Sequence, residues 1–185
     1  MRLVEYGNAA LAALDVRGLS RPHLHALVAE TGETATLSVP GERDAVTVDF
    51  VQSPRSVQSV ARIGRPSVGH ATAAGKAMLA FTGVMPAGTY ERFTERTIVD
   101  PALLARELER VRERGWADAV EEREPGLVAI AAPVLGHGGE LVAILGVQGP
   151  SERFDRAARK AAVAPLVDHA GRLSTGLGGS PPARD

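Results

Sequence analysis

Residues 127–148 constrain the fold more than any other stretch of the chain. Leu127 to Val134 and Glu140 to Gln148 are two nearly continuous apolar runs joined by the glycine-rich turn Gly136-His137-Gly138-Gly139. Runs without polar alternation predict a hairpin buried on both faces, with His137 exposed in its turn. A chain of 185 residues with 44% apolar content can bury one such core, and that length favours a single domain.

The remaining elements follow from periodicity and punctuation. Ala35, Leu37 and Val39 alternate with Thr34, Thr36 and Ser38, Pro40-Gly41-Glu42-Arg43 turns the chain, and Val46, Val48 and Phe50 resume the alternation, which is a second hairpin. A third strand is expected from Val57 to Ile63, stopped by Gly64 and Pro66. Trp116 to Glu122 reads as a further strand before the Pro125-Gly126 turn. Ala9, Leu11, Ala12 and Leu14 are spaced for a short helix over 8–16 that ends at Gly18. Ser20 caps the next helix, with Leu24, Leu27 and Val28 on one face and Gly32 just past its end. Asp100-Pro101 places a capping side chain before proline at the first helical position. Leu103, Leu104, Leu108 and Val111 then share a face, and Gly115 closes that helix. A last helix should begin near Asp155 and run through Ala170 with a kink at Pro165. The tail STGLGGSPPARD has the composition of a disordered end. Together these elements describe an α+β domain with a mainly antiparallel sheet.

The chemistry concentrates in Gly69 to Phe81, GHATAAGKAMLAF, a tight turn feeding a helix with almost no side chains at its start. Ala71, Thr72, Ala73, Ala74 and Gly75 leave the first-turn N–H groups approachable, and the helix dipole there favours a carboxylate. Met78, Leu79 and Phe81 supply the stripe that seats the helix on a core. The competing explanation is that small residues simply allow close helix packing on a sheet. The stretch is not a phosphate-binding loop: five residues separate Gly69 from Gly75, and Ala77 stands where a magnesium-binding hydroxyl would be needed. Lys76 therefore reads as a surface or ion-pairing lysine, and His70 as a residue that hydrogen-bonds the turn. His23 and His25 point to different helix faces, which argues for solvated side chains over a shared metal. The acidic run Glu121, Glu122 and Glu124 reads as a solvated strand end, since no histidine or second carboxylate cluster completes a metal or acid–base site.

Charge and composition exclude several classes. A net charge of −1 and a pI near 6.5 leave no basic footprint for nucleic acid. With no cysteine, disulfides and thiolate chemistry are excluded. MRLVEYGNAALAAL is too short and too interrupted for a signal sequence and no apolar run approaches membrane length, so a cytoplasmic protein without a membrane partner is expected.

Four separated segments carry a resemblance: GHATAAGKAMLAF, Thr94 to Trp116 with its Asp100-Pro101 helix, EREPGLVAIAAPV, and the strand ending Gln148-Gly149-Pro150. In that order they resemble the C-terminal effector-binding domain of the IclR family of bacterial transcription regulators, over about Gly18 to Leu173. The resemblance implies a GAF-like fold with a curved, mainly antiparallel sheet flanked by helices, and a ligand cavity between the sheet and the loop into the central helix. It implies a linker helix over 1–17 that follows an absent winged helix-turn-helix, an effector-binding domain over 18–173, and a tail over 174–185. It further implies a homo-dimer or tetramer that contacts DNA only through the missing N-terminal domain. No catalytic residue, metal or cofactor is implied.

Carried over by position, the family's pocket uses backbone amides matching Ala73 and Ala74, in agreement with the helix-start argument. Where relatives that bind small keto acids have an acidic residue, a cysteine and two serines, this chain has Ala119, Ala129, Gly146 and Gln148. Strand periodicity puts Gly146 and Gln148 on one face. These replacements predict a roomier, more apolar pocket with Gln148 as an orienting group, which argues against glyoxylate or pyruvate. The expected ligand is a small, relatively apolar carboxylic acid, aromatic acids included, with its carboxylate on the N–H groups of Thr72 to Ala74. Two alternatives stand beside this sensor: an enzyme using His70 as acid or base near Lys76 or the acidic run, and a ligand-free dimerisation module.

Overall fold

The computed structural model describes residues 2–59 and 61–180, with side chains from Val16 onward. Helix α1 (Arg2–Thr31) leads into β1 (Thr34–Pro40), β2 (Ala45–Val51) and the short β3 (Pro66–Ser67). Helices α2 (Ala73–Thr82) and α3 (Pro101–Arg114) follow, then β4 (Ala117–Val120), β5 (Leu127–Leu135), β6 (Leu141–Pro150) and α4 (Arg156–Gly176). The six strands form one sheet in the order β3-β2-β1-β6-β5-β4, and every pairing is antiparallel. The α+β architecture read from the sequence is the one found.

The period of two along the central strands divides the sheet into two environments. One face carries Ala35, Leu37, Val128, Ile130, Leu145 and Val147, packed against Val16, Leu24 and Leu27 of α1 and Leu166, Val167 and Leu173 of α4. The opposite face carries Ala45, Ala117, Ala119, Ala131 and Ile144, packed against α2 and α3. Register lines up small residues across that second face. Gln148 pairs with Thr34 and with Ala129, which pairs with Ala119; Gly146 pairs with Thr36 and with Ala131, which pairs with Ala117.

Several elements depart from the local sequence signals, each for a packing reason. The two N-terminal helices are one, α1, which passes through Gly18 and Pro22. Val16, Ser20, Leu24 and Leu27 form one fully buried stripe at helical spacing, and that burial outweighs the cost of roughly 1 kcal/mol for glycine and 3 kcal/mol for proline. Ser20 caps nothing; its hydroxyl donates to the Arg17 carbonyl, 2.9 Å away. The strand expected over 57–63 is irregular chain in the described residues, and Val60 lies outside them. There, side chains satisfy the backbone in place of a ladder: Thr34 and Gln52 donate to the Ser59 carbonyl and Arg153 to that of Val57. Leu103 is 55% exposed, so only Leu104, Leu108 and Val111 form the buried face of α3. Helix α4 continues to Gly176 because Leu173 and Ser174 are buried and the Ser174 hydroxyl accepts from the Leu135 N–H. Of the tail expected over 174–185, residues 174–176 are thus helical, and 181–185 lie outside the described residues.

Candidate functional site

The seven residues singled out above, Thr72, Ala73, Ala74, Ala119, Ala129, Gly146 and Gln148, all line a single cavity between the second sheet face and the start of α2. Its volume is about 80 Å³, and it is partly open to solvent. The floor, built from Ala119, Ala129, Ala131 and Gly146, is small and apolar as expected. Gly146 leaves room for Thr36, since a Cβ there would stand 2.6 Å from Thr36 Oγ1 and force it to shift.

The start of α2 is held by its own cap. Thr72 has extended dihedrals, its hydroxyl accepts from the Gly75 N–H at 3.0 Å and donates to the Val68 carbonyl at 3.0 Å, and its own N–H is also on Val68 O. That leaves the Ala73 and Ala74 N–H groups without a backbone or side-chain acceptor among the described residues. Of the N–H donors expected over Thr72–Ala74, those of Ala73 and Ala74 are the unengaged ones. Gly75 permits the turn to fold against the helix, since a Cβ would collide with the Val68 carbonyl and lie 2.6 Å from Gly69 Cα.

The remaining walls differ from the apolar ones expected. Thr36, Ser38, Thr47, Ser59 and Ser67 bring hydroxyls, and Arg62, Arg65, Glu122 and Arg123 bring charge. Gln148 does border the cavity, with its amide NH2 donating to Ser59 Oγ at 2.8 Å. The hydroxyl stripe of β1 was visible in the sequence as the polar half of an alternation. Thr47 reaches the same face because a bulge between Leu37 and Ser38 shifts the register, so that Leu37 opposes Asp49 while Ser38 opposes Thr47.

Lys76 and Glu122 correct the sequence reading most. Lys76 is only 2% exposed, so it is an ion-pairing lysine and not a surface one: its Nζ lies 2.7 Å from Glu122 Oε1 and 3.0 Å from the Asp118 carbonyl. Glu122 is no solvated strand end, being 9% exposed. Burial pushes its carboxyl above the usual range, and the Lys76 ammonium opposes that rise. The chain reaches this arrangement through Glu121, whose φ of +54° makes it the one non-glycine residue with positive φ among the described residues. Alternation along β4 puts Ala117 and Ala119 on the cavity face, and the left-handed Glu121 returns Glu122 to it. Glu121 is locked there, its carboxylate accepting from Gly126 N–H and Ser151 Oγ, while Glu124 pairs with Arg65 at 3.6 Å.

The histidines are accounted for by structure. His70 is buried, places Nε2 2.9 Å from the Glu91 carbonyl, and stacks on Tyr90 and Phe93. It ties the loop before α3 to the start of α2 and is not on the cavity wall, so the acid–base role weighed for it has no access there. His25 is exposed; His23 is not simply solvated, because its Nδ1 lies 2.8 Å from His169 Nδ1 between α1 and α4.

Fold and site together define an α+β domain with a small polar cavity at a helix start, the form of a ligand-binding regulatory module. The model of the bacterial transcriptional regulator IclR C-terminal family matches residues 8–175, and the chain belongs to this family. It is 32% identical over 178 residues to the HTH-type transcriptional regulator BhcR of Paracoccus denitrificans, covering 93% of this chain and 64% of that relative's length. The crystal structure of Thermotoga maritima IclR superposes with a TM-score of 0.84 at 31% identity, over 96% of this chain and 74% of that one. The inducer-binding domain of a double mutant of PobR from Acinetobacter, in complex with 3-hydroxybenzoic acid, gives a TM-score of 0.75 at 26% identity, covering 85% and 96%. The matched relatives are transcriptional regulators and not enzymes.

Proposed function

We propose that this chain senses a small carboxylic acid and that the cavity is the effector site. The carboxylate sits on the Ala73 and Ala74 N–H groups at the positive end of the α2 dipole, with Arg62, Arg65 and Arg123 favouring an anion. Its hydrocarbon part rests on Ala119, Ala129 and Gly146, and Gln148 and the hydroxyls orient it. The observation that carries this reading is the convergence of seven residues from separate segments on one cavity beside two unengaged N–H donors. The complex of PobR with a carboxylic acid supports the ligand class. The methyl-lined floor fits a small, relatively apolar acid, aliphatic or aromatic. In the longer protein, occupancy would control DNA binding by an N-terminal winged helix-turn-helix, in a cytoplasmic homo-dimer or tetramer; light scattering that returned monomer mass at high concentration would remove the oligomer from this scheme.

Ala129→Trp tests the site, since the indole would fill a floor now made of methyl groups. Propionate is the probe, followed by NMR titration of the chain. The variant should remain folded and lose at least tenfold in affinity. Unchanged affinity in a folded variant would put the acid elsewhere.

A further inference from the structure

From the same cavity we infer that the effector carries a hydroxyl beside its carboxylate, and that Glu122 is the residue that recognises it. This inference rests on the carboxylate-site reading above and adds the chemistry of the second functional group. Glu122 borders the cavity, and its two oxygens are unequal: Oε1 takes the Lys76 ammonium at 2.7 Å, whereas Oε2 is shut off from bulk solvent and no donor meets it with hydrogen-bond geometry, the Val120 N–H only approaching the carboxylate. A buried acceptor left unmade is costly, and nearly all such groups in folded proteins are matched.

The carboxylate is not free to turn to another partner. Thr97 Oγ1 holds the Glu122 carbonyl at 2.7 Å, and Lys76 is itself anchored on the Asp118 carbonyl. The Thr72 hydroxyl donates to Val68 O, the Gln148 amide to Ser59, and Arg65 pairs with Glu124, and none of the cavity's donors bonds Oε2. The missing donor thus comes from the occupant. An ammonium group is disfavoured, because Lys76 already neutralises this carboxylate and Arg62, Arg65 and Arg123 line the space. A neutral hydroxyl has no such cost. The class is a small hydroxy acid, its carboxylate on the Ala73 and Ala74 N–H groups and its hydroxyl on Glu122.

The test compares three acids with one carbon skeleton: lactate (both enantiomers), pyruvate and propionate, which differ only in carrying a hydroxyl, a carbonyl or two hydrogens at C2. A site built to receive a hydroxyl rejects analogues lacking it, so one lactate enantiomer should bind at least tenfold more tightly than either other acid. In Glu122→Gln the order should reverse. Lys76 has only donors, so it holds the amide oxygen, and the NH2 group that replaces Oε2 then prefers the pyruvate carbonyl. Equal binding of all three acids, or an unchanged order in a folded Glu122→Gln variant, overturns the role of Glu122 and leaves the carboxylate site standing. Failure of all three to bind, or binding indifferent to Ala129→Trp, overturns the carboxylate site and this inference with it. If Glu122→Gln does not fold, the order of the three acids on the unaltered chain decides by itself.

Discussion

The two faces of the sheet are built from the same strands and have opposite purposes. Toward α1 and α4, Leu37, Val128, Ile130, Val134, Leu145 and Val147 of β1, β5 and β6 are fully buried beside Ala35, Ala132 and Ala143, and the layer is closed. Toward α2, the neighbouring positions on those strands are Thr36, Ala129, Ala131, Gly146 and Gln148, and the layer remains underfilled. Close packing is worth several kcal/mol for each large side chain, so leaving one face short of volume has to be balanced by the other. The difference teaches that close packing and open space are segregated by side-chain parity, one residue apart along the chain.

The largest expected effect breaks that segregation directly. Leu37 and Thr36 are adjacent on β1 and face opposite ways, the first fully buried in the closed layer and the second bordering the cavity. Leu37→Ala should cost about 2–5 kcal/mol, as for other large-to-small changes in a packed core. Thr36→Ala should cost no more than about 1 kcal/mol, because it removes an atom from a space already open. Urea denaturation of both variants makes the comparison, and equal losses would mean that the cavity face bears load as well.

Next in size is Gly146→Ala. The added methyl would press on Thr36 Oγ1, so the expected loss is about 1–3 kcal/mol, the usual cost of overpacking. Thr36→Ala in the same chain should recover most of it. A double-mutant cycle with additive losses would show that the strain lies elsewhere.

A smaller effect sharpens the comparison at its polar exception. Asp49, on the closed side, accepts from Arg21 and Arg17 and so pins α1 to β2. Burial pushes its carboxyl up, but the Arg21 guanidinium, the Phe50 N–H and Arg17 together outweigh that and hold it below its ordinary value. A depressed pKa stabilises the fold fully above the ordinary carboxylate range and loses that contribution as pH falls through the lower, folded value. Both arginines are about half exposed, so screening limits the gain, and Asp49→Asn should cost about 1 kcal/mol near neutral pH. The gap between variant and parent should close in acid. Thermal unfolding from neutral pH to below pH 4 checks this, and a pH-independent gap would assign the loss to packing.

How much of this was readable from sequence depended on whether the cause was local. The two hairpins, the cap at Asp100, the start of α4 near Asp155, the glycines closing α1 and α3 and the helix start at Thr72–Gly75 are set by neighbours a few residues away, and all were legible. So was the cavity floor, because period-two spacing puts Gly146 with Gln148 and the resemblance supplied Ala119 and Ala129. Period two also marked Thr36 and Ser38 as a polar stripe, without showing what they would meet.

What the amino-acid order determined by itself was therefore the set of elements and which side chains share a face, since both follow from backbone periodicity and local hydrogen bonding. Tertiary structure alone decided the rest. A continuous buried stripe carried α1 through Gly18 and Pro22, side chains from distant segments replaced the ladder expected over 57–63, and a bulge brought Thr47 to the cavity. The left-handed turn at Glu121 put Glu122 against Lys76, 46 positions away in sequence, and left one carboxylate oxygen without a donor. Pairings of that kind depend on which segments the core presses together, and short-range pattern carries no record of them.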